Sequence, residues 1–141
     1  MTLLPQLDEL TTPFWEACAN GELRVQACAS CGLRRHPPRP MCPACQSLET
    51  RWDVMSGRGR VWSYVVPHPP LLPDFMPVAP YNVVVVELDD DPSIRLVGNL
   101  LATEDGAINE VDPATIRIGE PVQVVFKQVA DDVSLPRWVR E

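Results

Sequence analysis

Two C-x2-C pairs, Cys28/Cys31 and Cys42/Cys45, set the terms for this chain, within the stretch CASCGLRRHPPRPMCPAC. Ten residues separate the pairs, and three of those ten are proline. Each pair places two sulfurs on one tight turn, and two such turns facing each other make a tetrahedral S4 site. Gly32 follows the first pair and Pro43 sits inside the second. The N-terminal MTLLPQLDELTT has no basic n-region and no extended apolar run, so a secretory signal is not expected. A reducing cytoplasm is the expected compartment, and there paired cysteines bind metal more often than they form disulfides.

The 141 residues make one domain of ordinary size, or a small module fused to a larger one. No stretch approaches the roughly 18–20 apolar residues of a membrane span. The net charge of −7 is unevenly spread. Residues 21–60 carry seven arginines against Glu22, Glu49 and Asp53, whereas residues 61–141 carry thirteen acids against five bases. That distribution disfavours a general polyanion binder. A local anion site near Arg34, Arg35 and Arg39 competes with the plainer reading of solvated charge.

Thr11 and Thr12 before Pro13 start a helix, PFWEACAN, that stops at Gly21. Two turns are too short to be stable alone, so Phe14, Trp15 and Cys18 must pack on something. Cys18 reads as a small buried hydrophobe and not as a fifth ligand. ELRVQA alternates as a strand feeding the first cysteine pair. Residues 51–56 and 60–66 read as one long strand bent or bulged at Gly57 and Gly59. The loop PHPPLLPDFMPVAP carries six prolines and apolar members Leu71, Leu72, Phe75, Met76 and Val78, which marks it as functional or partner-facing. NVVVVEL is the best central strand, forming a hairpin with IRLVGNLL across an acidic turn. A helical turn is expected near Asp112-Pro113-Ala114, and VQVVFKQV is the last strand. About five strands and no strong helix point to a small closed or partly open β-barrel. The residual VSLPRWVRE leaves Trp138 nothing to pack on except a barrel end or another chain.

Dinucleotide, P-loop and nucleophile-elbow motifs are absent from the sequence. His36 and His68 are each flanked by proline, and nothing in the sequence supports pairing either with Cys18 as a catalytic dyad.

Taken together, FWEAC, GELRVQAC-ASCG, HPPRPMCPAC, W-x3-SGRGRVWSY, PY-x-VVVVEL, VGNL and IGEPVQVVF resemble a bacterial and archaeal family in which a rubredoxin-like zinc ribbon joins an OB-fold, catalogued as domain of unknown function 35. The resemblance runs from about Phe14 to Phe126 and implies a mainly β fold: a short N-terminal helix, a zinc ribbon and a five-stranded OB-fold barrel. The expected boundaries are residues 1–21, 22–49, 50–130 and a C-terminal tail, 131–141.

The resemblance further implies a non-catalytic accessory subunit of acyl-CoA enzymes. The expected partner is a thiolase-fold enzyme, preferably an aldolase of steroid side-chain degradation, with an enoyl-CoA hydratase as a further partner and a two-plus-two assembly. It implies one structural zinc held by Cys28, Cys31, Cys42 and Cys45, and acyl-CoA as a ligand of the complex. Pro38 and Arg39 match the family's PPR. Arg35 and Arg39 are the candidates for CoA phosphates, which bidentate arginines bind well. Phe14, Trp15, Leu72, Phe75 and Trp138 are the candidates for partner contact.

Two other classes remain open on the sequence. A zinc module with no ligand of its own would bind a partner tightly and show no CoA affinity. A single-strand nucleic-acid binder needs a basic groove with stacking aromatics. The presumed binding strands instead contain no aromatic, offer only Arg95, and are joined by Asp89, Asp90 and Asp91.

Overall fold

The computed structural model describes residues 3–141. Pro13 opens helix α1 (Thr12–Ala19), and Gly21, at φ 75°, ends it in the left-handed region that favours glycine. Eight residues cannot hold a helix unaided. Phe14, Ala17 and Cys18 are its buried face, packed between the first strand and the last.

Three antiparallel strands then form a small sheet, ordered β2 (Arg34–Arg35), β1 (Leu23–Cys28), β3 (Thr50–Met55). Thr50–Met55, expected as the start of the barrel, pairs with β1 from Leu23↔Met55 to Cys28↔Thr50 and completes the ribbon's sheet. The chain leaves this sheet at Gly57 (φ 82°), where any side chain would run into Val124.

The second sheet contains β4 (Arg58–Val65), β5 (Val83–Leu88), β6 (Arg95–Gly98), β7 (Leu100–Leu101), β8 (Pro121–Ala130) and β9 (Val133–Arg140), in the order β6-β5-β4-β8-β9-β7. β6 and β7 are two halves of one strand broken at Asn99. Its first half pairs antiparallel with β5 and its second half parallel with β9. The two ends of the sheet are thus the same strand, which closes a five-stranded barrel with OB topology. Inward residues alternate as the pleat requires: Val84, Val86 and Leu88 from β5, Val122 and Val124 from β8, and Trp138 from β9.

Two expectations change here. Most of the supposed tail, 131–141, is the barrel's closing strand, β9. Trp138 is 0% exposed in the barrel core and faces neither solvent nor a partner. The bend expected at the two glycines is present at Gly57, between β3 and β4, and a further irregularity lies at Trp62, where the β4–β5 register shifts between Val61 and Ser63. The β5–β6 hairpin forms as expected. The turn near Asp112 is a 3-10 turn (Pro113–Thr115), which the Asp112 carboxylate caps by accepting from the Ala114 N–H at 3.0 Å. The proline-rich loop is ordered by its own contacts, with a 3-10 turn at Met76–Val78 and Phe75 packed on Tyr81 at 5.6 Å. Among the described residues, no helix is long and apolar enough to cross a membrane.

Candidate metal centre and its surroundings

β1 delivers Cys28 to the first turn, where the Gly32 N–H donates to the Cys28 carbonyl (2.9 Å) and the Cys31 N–H donates to Cys28 Sγ (3.4 Å). The second turn repeats the pattern: the Gln46 N–H donates to the Cys42 carbonyl at 2.9 Å. Both turns pass through the left-handed region, at Gly32 (φ 80°) and at Gln46 (φ 65°). The four Sγ atoms lie within 4.8 Å of one another, with Cys28–Cys45 at 3.5 Å and Cys31–Cys42 at 3.6 Å. A disulfide needs about 2.05 Å between sulfurs. Tetrahedral ligation at a Zn–S distance of about 2.3 Å puts them about 3.8 Å apart. The geometry fits zinc and not cross-links.

The charge on the sulfurs argues the same way. The Cys31 N–H chiefly lowers the Cys28 thiol, to about 6, and the Cys45 N–H likewise lowers Cys42. Cys45 moves in the opposite direction: the Ser47 N–H favours its thiolate, but Cys28, burial and the other sulfurs push it up to about 12. Four thiolates this close do not all ionise without a cation between them. The ribbon is a structural zinc site.

The arginines after the first turn separate by strand direction. Arg34 faces the barrel, with Nε donating to Asp53 at 2.9 Å and Nη1 3.8 Å from Asp91. Arg35 points the other way. It is 6% exposed, Nη2 donates to the Arg39 carbonyl at 3.0 Å, and Nε and Nη1 are buried without partners. Its expected contact with a CoA phosphate is therefore not available in this conformation. Arg39 is exposed, its main chain anchored by the N–H donating to Gln26 Oε1 at 2.7 Å.

The expected partner-binding residues divide in the same manner. Phe14 is buried in the core beside Trp138, so neither offers a surface. Trp15 is partly buried, edge-on to Phe14 at 5.0 Å. Leu72 is 61% exposed, while Phe75 is half-buried against Tyr81. Burial pushes the Cys18 thiol up to about 12, and burial also lowers the pKa of His36, which stacks on Phe14 at 5.4 Å. Neither group is set up as a nucleophile and base near neutral pH.

Two features escaped the sequence reading. Trp62 stands 47% exposed on the barrel's outer face, with the Arg95 guanidinium 3.9 Å over its ring. A hollow of about 350 Å³ lies between α1, residues 36–38, β6 and β9, with Arg137 at its wall. Arg137 was hidden because its strand read as a tail.

Fold and metal centre together define a zinc ribbon fused to an OB-fold barrel. Residues 15–51 match the model of the "ChsH2, rubredoxin-like zinc ribbon domain" and residues 52–127 that of the "ChsH2, C-terminal OB-fold domain". The chain belongs to this ChsH2 (DUF35) family. It is 32% identical to a "DUF35 domain-containing scaffold protein" of Methanothermobacter thermautotrophicus, over 74% of this chain and 71% of that one. It is 39% identical to a "Probable enoyl-CoA hydratase alpha subunit" of Thermomonospora curvata, covering 87% of this chain and 35% of the relative. The "3-oxo-4,17-pregnadiene-20-carboxyl-CoA hydratase alpha subunit" of Mycobacterium tuberculosis is 33% identical over 95% of this chain and 37% of the relative. The chain therefore spans little more than a third of these hydratase subunits. A solved structure described as "Ltp2-ChsH2(DUF35) aldolase" has a chain with TM-score 0.81 and 34% identity, covering 97% of this chain and 98% of that one.

Proposed function

We propose that this chain is a non-catalytic accessory subunit that binds a thiolase-fold acyl-CoA enzyme, an aldolase of steroid side-chain degradation, and helps form its acyl-CoA site. The observation that carries the reading is the nearly full-length likeness, at TM-score 0.81, to the DUF35 chain of an aldolase complex. Supporting it, the ribbon is a fastener with no open coordination position, and the one thiol outside it is buried. The partner supplies the nucleophile and acid–base groups. Arg39 is the exposed cation that can meet a CoA phosphate, and Leu72 and Met76, exposed on the proline-rich loop, offer apolar contact to the partner.

Co-expression with a thiolase-fold aldolase tests this directly. A stable complex, two copies of each chain by light scattering, is expected, with retro-aldol activity on a steroid acyl-CoA appearing only in the pair. Failure of the two to co-purify overturns the reading. Within a formed complex, Arg39→Ala raising KM for the acyl-CoA assigns that residue to CoA, and dissociation assigns it to docking.

Nucleic-acid binding draws its one supporting observation from exposed Trp62. Its ring face is already covered by Arg95, which removes the stacking platform that such binding needs.

A further inference from the structure

The hollow between α1 and the barrel wall is mainly apolar, with Thr11, His36, Asn99 and Arg137 as its polar residues. Phe14 and Trp15 come from the helix, Pro38 from the ribbon's loop, Val97 from β6 and Leu135 from β9. Its volume of about 350 Å³ falls in the usual range of small-molecule sites, roughly 300–1,000 Å³. Arg137 is the only charged residue among those lining it.

Most guanidiniums of this chain are matched: Arg24, Arg34, Arg51, Arg58, Arg60 and Arg140 each pair with a carboxylate, Arg95 lies on an indole, and Arg35 and Arg117 donate to backbone carbonyls. Among the described residues, Arg39 and Arg137 are the arginines whose side chains have neither an ion pair nor a hydrogen bond; Arg39 is exposed to solvent, whereas Arg137 is partly buried. Burial lowers its pKa, and no carboxylate lies within ion-pair distance, although Arg137 also borders a separate hollow lined by Asp74, Asp105, Glu110 and Lys127. A half-desolvated cation with no counter-charge is costly unless an anion arrives.

We propose that this hollow is a binding site for a carboxylate carried on a hydrocarbon body, with the carboxylate on Arg137 and the body against Trp15, Val97 and Leu135. One guanidinium matches one carboxylate in bidentate geometry. A phosphate dianion would call for a second cation, and the lining has none. The site lies wholly within this chain and does not depend on the proposed partner.

Trp15 supplies the signal. Titrating 10-bromodecanoate, below its micelle concentration, into the zinc-loaded full chain is expected to quench tryptophan fluorescence saturably. Decanoate should compete, and most of the quenching should vanish in Trp15→Phe. Arg137→Gln is expected to weaken binding about tenfold or more, and Arg137→Lys to restore much of it. Decanol should compete at least about tenfold more weakly than decanoate. Should Arg137→Gln fail to fold, Val97→Glu serves instead: Val97 is 68% exposed, and a carboxylate there should weaken binding of the acid at least about tenfold more than that of the alcohol, which loses only apolar contact. Quenching that does not saturate, that persists in Trp15→Phe, or that is equal for acid and alcohol overturns the site. Failed co-purification with an aldolase would leave this result untouched, so the two readings fail separately.

Discussion

The side chain of Asn82 makes both hydrogen bonds to Leu100 that a neighbouring strand would make. Its Nδ2 donates to the Leu100 carbonyl at 2.9 Å, and the Leu100 N–H donates to its Oδ1 at 2.6 Å. Asn99 Nδ2 in turn donates to the Asn82 carbonyl at 2.6 Å. This is the point at which the β6–β7 strand leaves β5 and crosses to β9. The backbone groups freed by that crossing are satisfied by an amide 0% exposed to solvent.

Asn82→Ala removes both partners from a buried N–H and a buried carbonyl. Each such group costs about 1–3 kcal/mol when left unpaired, so a loss of about 2–4 kcal/mol is expected. Chemical denaturation of zinc-loaded protein measures it. A loss under about 0.5 kcal/mol, the range of a neutral surface substitution, would show that water replaces the amide at no cost.

The parts of the fold that hydrophobic pattern encodes were legible, and those that depend on single side chains were not. The β-branched run of β5 and the two cysteine pairs declare themselves, because period and spacing are local. β9 did not: Pro136 breaks the reading of SLPRW as a strand, yet it sits opposite Phe126 in the ladder. With β9 missed, Trp138 became a false surface residue and Arg137 went unnoticed. In RRHPPR the arginines look equivalent. Pairing with β1 sends Arg34 toward Asp53 and buries Arg35 beside Gln26, a distinction that only the strand register reveals.

The zinc assignment predicts about one zinc per chain, detectable by elemental analysis. Cys42→Ser should abolish stoichiometric metal, because Cys42 is a fully buried ligand and structural zinc supplies folding energy to its module. The ribbon's Trp52 fluorescence and the β1–β3 amide protection should be lost first, with the barrel strands outlasting them. Iron with a charge-transfer band, or metal retained by Cys42→Ser, would overturn the assignment.

Gln46 occupies the turn position that Gly32 fills in the other pair, at φ 65° and with a side chain that favours negative φ. Gln46→Gly keeps the N–H that donates to the Cys42 carbonyl and removes the backbone strain. The unfolded chain gains freedom at the same time, so a net gain of about 0.5–1 kcal/mol is expected. Gln46→Val should act in the opposite direction. Slower zinc transfer to a chelator in Gln46→Gly, and faster transfer in Gln46→Val, would register both effects.

Asp53 joins the ribbon to the barrel through its arginines. Arg51 and Arg34 donate to its two oxygens, each at 2.9 Å, and Arg34 also reaches Asp91 in the β5–β6 turn. The hydrogen bond from Arg51, then that from Arg34, holds the Asp53 carboxyl below its ordinary value. A carboxyl lowered by folding contributes stability that is fully present above its unfolded pKa of about 3.9 and is lost as pH falls through the folded value. Asp53→Asn should therefore destabilise the protein at pH 7, by about 1 kcal/mol given the solvent screening of these pairs. The gap between wild type and variant should close as pH falls below about 4. Zinc release at low pH affects both proteins alike, so the difference between their unfolding curves isolates Asp53. A gap that stays constant from pH 7 to pH 3 would mean that Asp53 acts through packing and not through its charge.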